Sequence, residues 1–475
     1  MRPRRNGTHQ KWNRDAAPAP HASRRRLLAA ARIGAIATVV LPVAPARADS
    51  TVDIAAILRE AAKAAGTLGH EERRATLLSR IAFVQGRAGD TAGALATARE
   101  ALAAPAAQKP EAEGMQALAT LVAVQVRAGD RAGAMQTLER LMNGMPGDRR
   151  EPVATIVAGA QASVGDIPGA LATAGGSPVA LARVAAIQAG AGDRVGALAT
   201  AGRARAAAAA GPGGPSSTDL AFIAAVQARA GDRRAAETAF AEAVRLATGP
   251  DGGPAPPLAF LRDLQSLEQI ARAQILVGHG TGAARTLHAA LPLARQHPDD
   301  TLRASHLTSV ARALAEAGDK TSALTVLREA RGIAEKRPGR QDALWLELAE
   351  AHVATGNVKE ALSIAEGLVA PTGHPELLAR VGAIQARAGR KAAAEASFRD
   401  ALQAASRPPV GGDRMVLRRL ARLQAEVGDA KATAAWAAAL AEPAVRAEVL
   451  LAAAEGLLAR QGTRLCEFPS STLGC

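Results

Sequence analysis

The 475-residue chain has no tyrosine, six phenylalanines and three tryptophans, so aromatics make up 2% of it. That excludes a nucleic-acid groove built on stacking platforms and argues against a sugar cleft floored by aromatic rings. Only two cysteines are present, Cys466 and Cys475, both in the tail RLCEFPSSTLGC. A fold stapled by many disulfides is therefore excluded, whereas an oxidising compartment would join this one pair across a small loop. Catalytic signatures are missing too: there is no Gly-x-Ser-x-Gly, no His-Glu-x-x-His and no P-loop. Gly278-His279-Gly280-Thr281-Gly282 imitates a phosphate-binding loop, but no strand pattern precedes it. His279, His288, His297 and His306 lie nine residues apart without zinc-ligand spacing. No cofactor and no metal are expected, and the chain does not read as an enzyme.

Alanine is abundant, at about a quarter of the residues. A core of Ala, Leu and Val suits many thin helix-on-helix layers better than one thick core. The stretch IAFVQGRAGDTAGALATAREAL, which starts at Ile81, returns as VAAIQAGAGDRVGALATAGRA from Val184 and as VGAIQARAGRKAAAEASFRDAL from Val381. Ten copies align on Gly89, Gly129, Gly165, Gly192, Gly231, Gly278, Gly318, Gly356, Gly389 and Gly428, and Asp follows the glycine in seven. Glycine ends a helix in the left-handed conformation at no steric cost, and Asp caps the next helix and suits its dipole. Each copy therefore reads as two antiparallel helices around a tight turn. Seven residues before the glycine stands Ala in eight copies, and five after it Ala in nine, Thr433 being the exception. Small side chains at these points let the two helices cross closely.

Helix, Gly-Asp turn, helix, with Ala at those offsets, resembles the tetratricopeptide repeat over most of residues 70–441. The glycines are 27 to 47 residues apart, around that family's period of about 34. The large aromatics usual in the family's first helix are absent, and Gln stands four before the glycine in eight copies. The resemblance implies an all-α fold, a right-handed superhelix (α-solenoid) of about ten helix-turn-helix repeats. It further implies a non-catalytic scaffold that holds a protein or peptide in its concave groove. In the family, the positions two, three and six before the glycine face that groove. Here they make Phe83, Arg87, Arg127, Arg229, Arg272, Arg312, Arg387 and Arg422 the candidate partner-binding residues. Arginines there suit the carboxylates of an acidic partner, although a solvated helix face has the same sequence. The Asn and Lys with which some members clamp a terminal carboxylate are missing from these offsets. The repeated Gln reads either as a ligand ladder or as a tie between each hairpin and the next; repetition with the fold period favours the tie.

Residues 1–48 lie outside the array. Ser23, Arg24 and Arg25 open a stretch that resembles the twin-arginine export motif, an apolar run follows from Ile33 to Val43, and Ala46-Arg47-Ala48 offers a cleavage site. A periplasmic or secreted protein beginning near Asp49 is expected, with no stable membrane span after cleavage. The chain's net charge is +14. Residues 1–48 hold ten Lys/Arg and one Asp, so the remainder carries only +5 and no basic stripe. Nucleic acid is therefore not an expected partner. The remainder divides into a half-array over 49–248, a Gly/Pro linker over 249–257, a second half-array with a closing helix over 258–461, and a tail over 462–475. Helices over 51–66 and 444–460 are expected to cap the two ends. Two other functions fit an array of this kind, a glycan-acting envelope enzyme and a structural protein that assembles through its ends.

Overall fold

In the computed structural model all ten aligned glycines stand at helix ends with φ between 77° and 124°. The structure describes residues 53–69, 71–104, 112–143, 150–249, 259–336, 341–368, 374–406 and 414–463. All of the Gly/Pro linker but Gly249, the residues of the expected export motif and the cysteine pair lie outside the described residues.

Each turn is built from the same few bonds. At Gly89, the Asp90 N–H donates to the Gln85 carbonyl at 2.9 Å. The Asp90 carboxylate in turn accepts from the Gly93 N–H, also at 2.9 Å. Asp130, Asp166, Asp193, Asp232, Asp319 and Asp429 cap the following helix in the same way. A cap of this kind contributes about 1 kcal/mol.

Ten hairpins result. They are α2 (Glu71–Arg87) with α3 (Thr91–Ala103), α4 (Ala112–Arg127) with α5 (Arg131–Asn143), and α6 (Arg150–Val164) with the short α7 (Ile167–Ala174). Then come α8 (Pro178–Gly190) with α9 (Arg194–Ala210), α10 (Ser217–Ala230) with α11 (Arg233–Thr248), and α12 (Ala259–Leu276) with α13 (Gly280–Arg295). The last four are α14 (Asp300–Glu316) with α15 (Lys320–Glu335), α16 (Asp342–Thr355) with α17 (Val358–Leu368), α18 (Pro375–Arg387) with α19 (Lys391–Ala405), and α20 (Arg414–Val427) with α21 (Ala430–Ala438). The helices α1 (Ile54–Gly66) and α22 (Pro443–Arg460) flank them. The alanines seven before and five after each glycine are buried, from Ala82 and Ala94 to Ala349 and Ala361. Apolar packing runs without a break from α10 to α16, through the helices on both sides of the Gly/Pro segment.

Four of the buried glutamines tie their own hairpin together rather than to the next one. Gln125 Oε1 accepts from the Thr137 hydroxyl at 2.8 Å, Gln274 from Thr286 at 2.8 Å, and Gln385 from Ser397 at 2.8 Å. Gln424 accepts instead from Trp436 Nε1 at 3.0 Å. Each donor stands eight residues after the turn glycine, on the second helix of the same hairpin. Where Leu314 replaces the glutamine, that position is Val326, and where His352 replaces it, Ile364. Leu314 thus meets an apolar residue, and neither replacement leaves a hydroxyl unpaired at that position.

The two flanking helices do not cap separate ends. α1 packs on α22, on α2 and on α3, and α22 packs on α20, α21 and α2. Apart from the small contact between α1 and α3, that is the set of neighbours second and first helices have inside the array. One apolar core accordingly joins Leu58, Ala61 and Ala65 of α1 to Leu450, Ala454 and Leu457 of α22. α22 also ends as the other first helices do. Gly462 takes φ 75°, and the Thr463 N–H donates to the Leu458 carbonyl at 2.9 Å. α1 begins as the second helices do, with the Asp53 carboxylate accepting from the Ala55 N–H at 2.9 Å. The eleventh hairpin is therefore assembled from opposite ends of the chain, and the solenoid closes on itself. First helices contact first helices all the way round, whereas second helices barely touch one another. The first helices hence form the tighter, inner layer.

Candidate partner-binding cleft

Three neighbouring first helices, α16, α18 and α20, leave an open cleft of about 360 Å³ between them. Glu350 lines it from α16, Glu376 and Arg380 from α18, and Arg419, Arg422, Leu423 and Glu426 from α20. Helical spacing brings Arg419, Arg422 and Glu426 onto one face of α20, at i, i+3 and i+7.

The charges are paired across the seams between helices. Arg380 Nε and Nη2 donate to Glu350 Oε1 and Oε2, both at 2.7 Å, which is the two-pronged geometry that guanidinium and carboxylate favour. Burial lowers the Arg380 pKa, but its hydrogen bonds to Glu350 and the charges of Glu350, Glu347 and Glu376 lift it above the ordinary arginine value. Arg419 pairs with Glu376, and Arg387 Nη2 donates to Glu426 Oε1 at 2.8 Å. Arg422 has no ion-pair partner among the described residues, so the cleft presents one surplus cation beside three satisfied pairs. The belt continues past the cleft in both directions. Toward α14, the Ser305 hydroxyl donates to Glu347 at 2.6 Å. Toward α22, Glu448 faces Arg414 and Arg418 of α20 and Arg73 of α2. Pairs this exposed contribute about 0–1 kcal/mol each, so the belt fixes register and surface charge more than stability.

Two of the candidate arginines, Arg387 and Arg422, come together at this cleft. The others are spread along the inner layer. Arg127 is exposed and its stem lies over Gly86 of the preceding hairpin. Arg229 and Arg272 are exposed, and Arg87 and Arg312 are half-buried. Phe83 packs against the core that joins α1 to α22, so it belongs to the closure. Four cleft residues, Glu376, Arg380, Arg419 and Leu423, lie outside the offsets the repeat resemblance marks. The signal for the two arginines was an Arg nine before the glycine in two successive copies.

His297 and His306 stack at 5.4 Å between ring centres, with Phe260 edge-on to His297 at 5.6 Å. Among the described residues no three metal-capable side chains converge. No described helix is long and apolar enough to cross a membrane.

No protein-family model and no curated protein matches the chain. Among solved structures, a monomeric IFIT1 mutant with m7Gppp-AAAA is 15% identical, with 86% of this chain and 96% of that one aligned at a TM-score of 0.25. The APC/C hetero-tetramer Cut9–Hcn1 is 14% identical over 77% of this chain and 84% of that one, at 0.24. A circular tandem repeat protein with novel repeat topology is 15% identical over 86% and 89%, at 0.21. Likenesses this distant carry no function, and the architecture stands on the chain's own turns, alanines and hairpin contacts: an all-helical solenoid of degenerate tetratricopeptide-like repeats.

Proposed function

We propose that the protein is an exported, non-catalytic scaffold that holds a protein or peptide partner against the inner layer of the solenoid, at the α16–α20 cleft. The observation that carries this reading is the cleft itself. It is open, it is lined by groups that can bond both carbonyl and amide groups of an extended chain, and Arg422 remains available for an acidic side chain. Repeat solenoids commonly serve as such scaffolds because stacking creates long continuous surfaces. Export is supported by the Ser23–Leu28 stretch and the Ala46-x-Ala48 site. Cleavage there would leave Asp53 and all of α1 in place for the closing hairpin.

The alternatives fare less well. Trp345 and Trp436, the two tryptophans after the signal, both pack against the core rather than forming a sugar platform. End-to-end assembly needs free solenoid ends, and here the ends occupy each other. The deciding experiment is affinity capture from an envelope extract with the parent protein and two double variants. Charge reversal of Arg387 and Arg422 is expected to abolish capture of a stoichiometric partner, while reversal of Arg99 and Arg140 on second helices leaves it intact. Equal capture by both variants would remove the cleft from the account. N-terminal sequencing of the native protein that returned residues from 1–48 would remove export.

A further inference from the structure

Arg183 on α8 repeats the position of Arg380 without its partner. Arg380 stands nine before its turn glycine and reaches back to Glu350, which stands six before the previous one. Arg183 stands nine before Gly192 and reaches back in the same way over α6, but the residue six before Gly165 is Gly159. The contact is close: a Cβ placed on Gly159 would lie 2.6 Å from Arg183 Nε and 3.1 Å from its Cδ. Among the described residues Arg183 has no hydrogen bond and no ion pair. Ile156 is one turn before Gly159, Phe222 holds the equivalent position in the next hairpin, and both are half-buried apolar residues. Burial pushes the Arg183 pKa below the ordinary arginine value, whereas Glu350 carries that of Arg380 above it. A half-buried, unpaired guanidinium is costly unless something satisfies it, and the protein itself shows what a guanidinium at this position holds.

We propose that Arg183, seated over Gly159, is a carboxylate-binding site of the inner layer, where an acidic group of a ligand takes the place that Glu350 takes beside Arg380. Glycine at 159 lets the Arg183 side chain lie directly over α6, and the missing carboxylate leaves its guanidinium without the partner that Arg380 has. The site shares the inner layer with the α16–α20 cleft but none of its residues, so either reading can fail alone.

The test follows the arginine Nε resonances of the full chain by NMR while carboxylates are added. N-acetylglutamate serves as the free acid, a short peptide with one internal Glu as the chain-borne acid, and its Gln twin and inorganic phosphate as controls. A resonance that saturates, and that disappears in Arg183→Lys, is expected with a carboxylate probe and not with the Gln peptide. Tighter binding of the Glu peptide assigns a peptide ligand, and saturation by the free acid alone assigns a small one. Gly159→Glu should supply the carboxylate internally and weaken the probe at least about tenfold, by effective concentration. Arg183→Gln is the second variant should Gly159→Glu fail to fold, and it should lose the saturating response. A linear drift matching that of exposed Arg127 would overturn the proposal, as would saturation by phosphate alone.

Discussion

Arg73 on α2 and Glu448 on α22 lie 375 residues apart in sequence and pair at 3.2 Å. Glu448 is the meeting point of the closure, since Arg414 and Arg418 also face it and only 11% of its side chain is exposed. Three guanidiniums around one carboxylate are held by that carboxylate, and removing it leaves like charges crowded together. Glu448→Ala is expected to lower stability by about 1–3 kcal/mol in urea unfolding and to raise the radius of gyration in X-ray scattering. An unchanged radius with lowered stability would mean that apolar packing alone keeps the ends together.

The seat of α22 on α20 depends on one glycine. A Cβ on Gly456 would lie 2.3 Å from the backbone oxygen of Arg422, so α22 approaches α20 as closely as it does only because no side chain intervenes. Backbone cannot swing aside as a flexible side chain does. Gly456→Ala should therefore cost about 1–3 kcal/mol despite the better helix propensity of alanine. A stability equal to or above the parent's would show that the two helices can separate at no cost.

The tie between Gln274 and Thr286 makes a prediction about coupling. Thr286→Val leaves the buried Gln274 amide oxygen without its donor and should destabilise by about 1–3 kcal/mol. The double variant Gln274→Leu with Thr286→Val copies the Leu314 and Val326 pair of the next hairpin, and it should recover most of that loss. Additive single effects in this double-mutant cycle would show that the two side chains act independently.

Two histidines set a pH dependence. Burial lowers the pKa of His306, with the charge of His297 adding to it, and burial likewise lowers that of His352 against the pull of Glu360. A base whose folded pKa lies below its unfolded value binds its proton more readily when the chain is unfolded. Its contribution is therefore complete above the unfolded value of 6.5 and is lost as pH falls from there toward the folded value. Urea midpoints should fall between pH values of about 7.5 and 5, and less steeply in a His306→Gln, His352→Gln variant. Identical slopes would place the loss on other groups.

Much of this architecture is written locally. The Gly-Asp turns, the caps and the buried alanines repeat often enough that the hairpins follow from helix chemistry alone. Closure does not, because it joins residues from the two ends of the chain and no spacing records that distance. Its trace is two complementary halves among the described residues: Gly462-Thr463 ends a first-type helix at one edge of them, and Asp53 caps a second-type helix at the other. Read apart, they look like two capping helices. The cleft was legible in part. Arg387 and Arg422 lie at offsets that the repeat resemblance marks, whereas Arg380 and Arg419 act across the seam to the preceding hairpin. A pairing of that kind depends on how neighbouring repeats stack, which the sequence of one repeat does not contain.

The central claim is that a partner lies against the inner layer at the α16–α20 cleft, and site-specific photo-crosslinking tests it most directly. A photoreactive side chain at Leu423, inside the cleft, is compared with one at Val195 on the second helix α9, where the residue is 83% exposed. Both variants are exposed to the native envelope extract and the crosslinked species are compared by mass. The account predicts one stoichiometric adduct from Leu423 and none from Val195. An adduct from Val195 with none from Leu423 would contradict it.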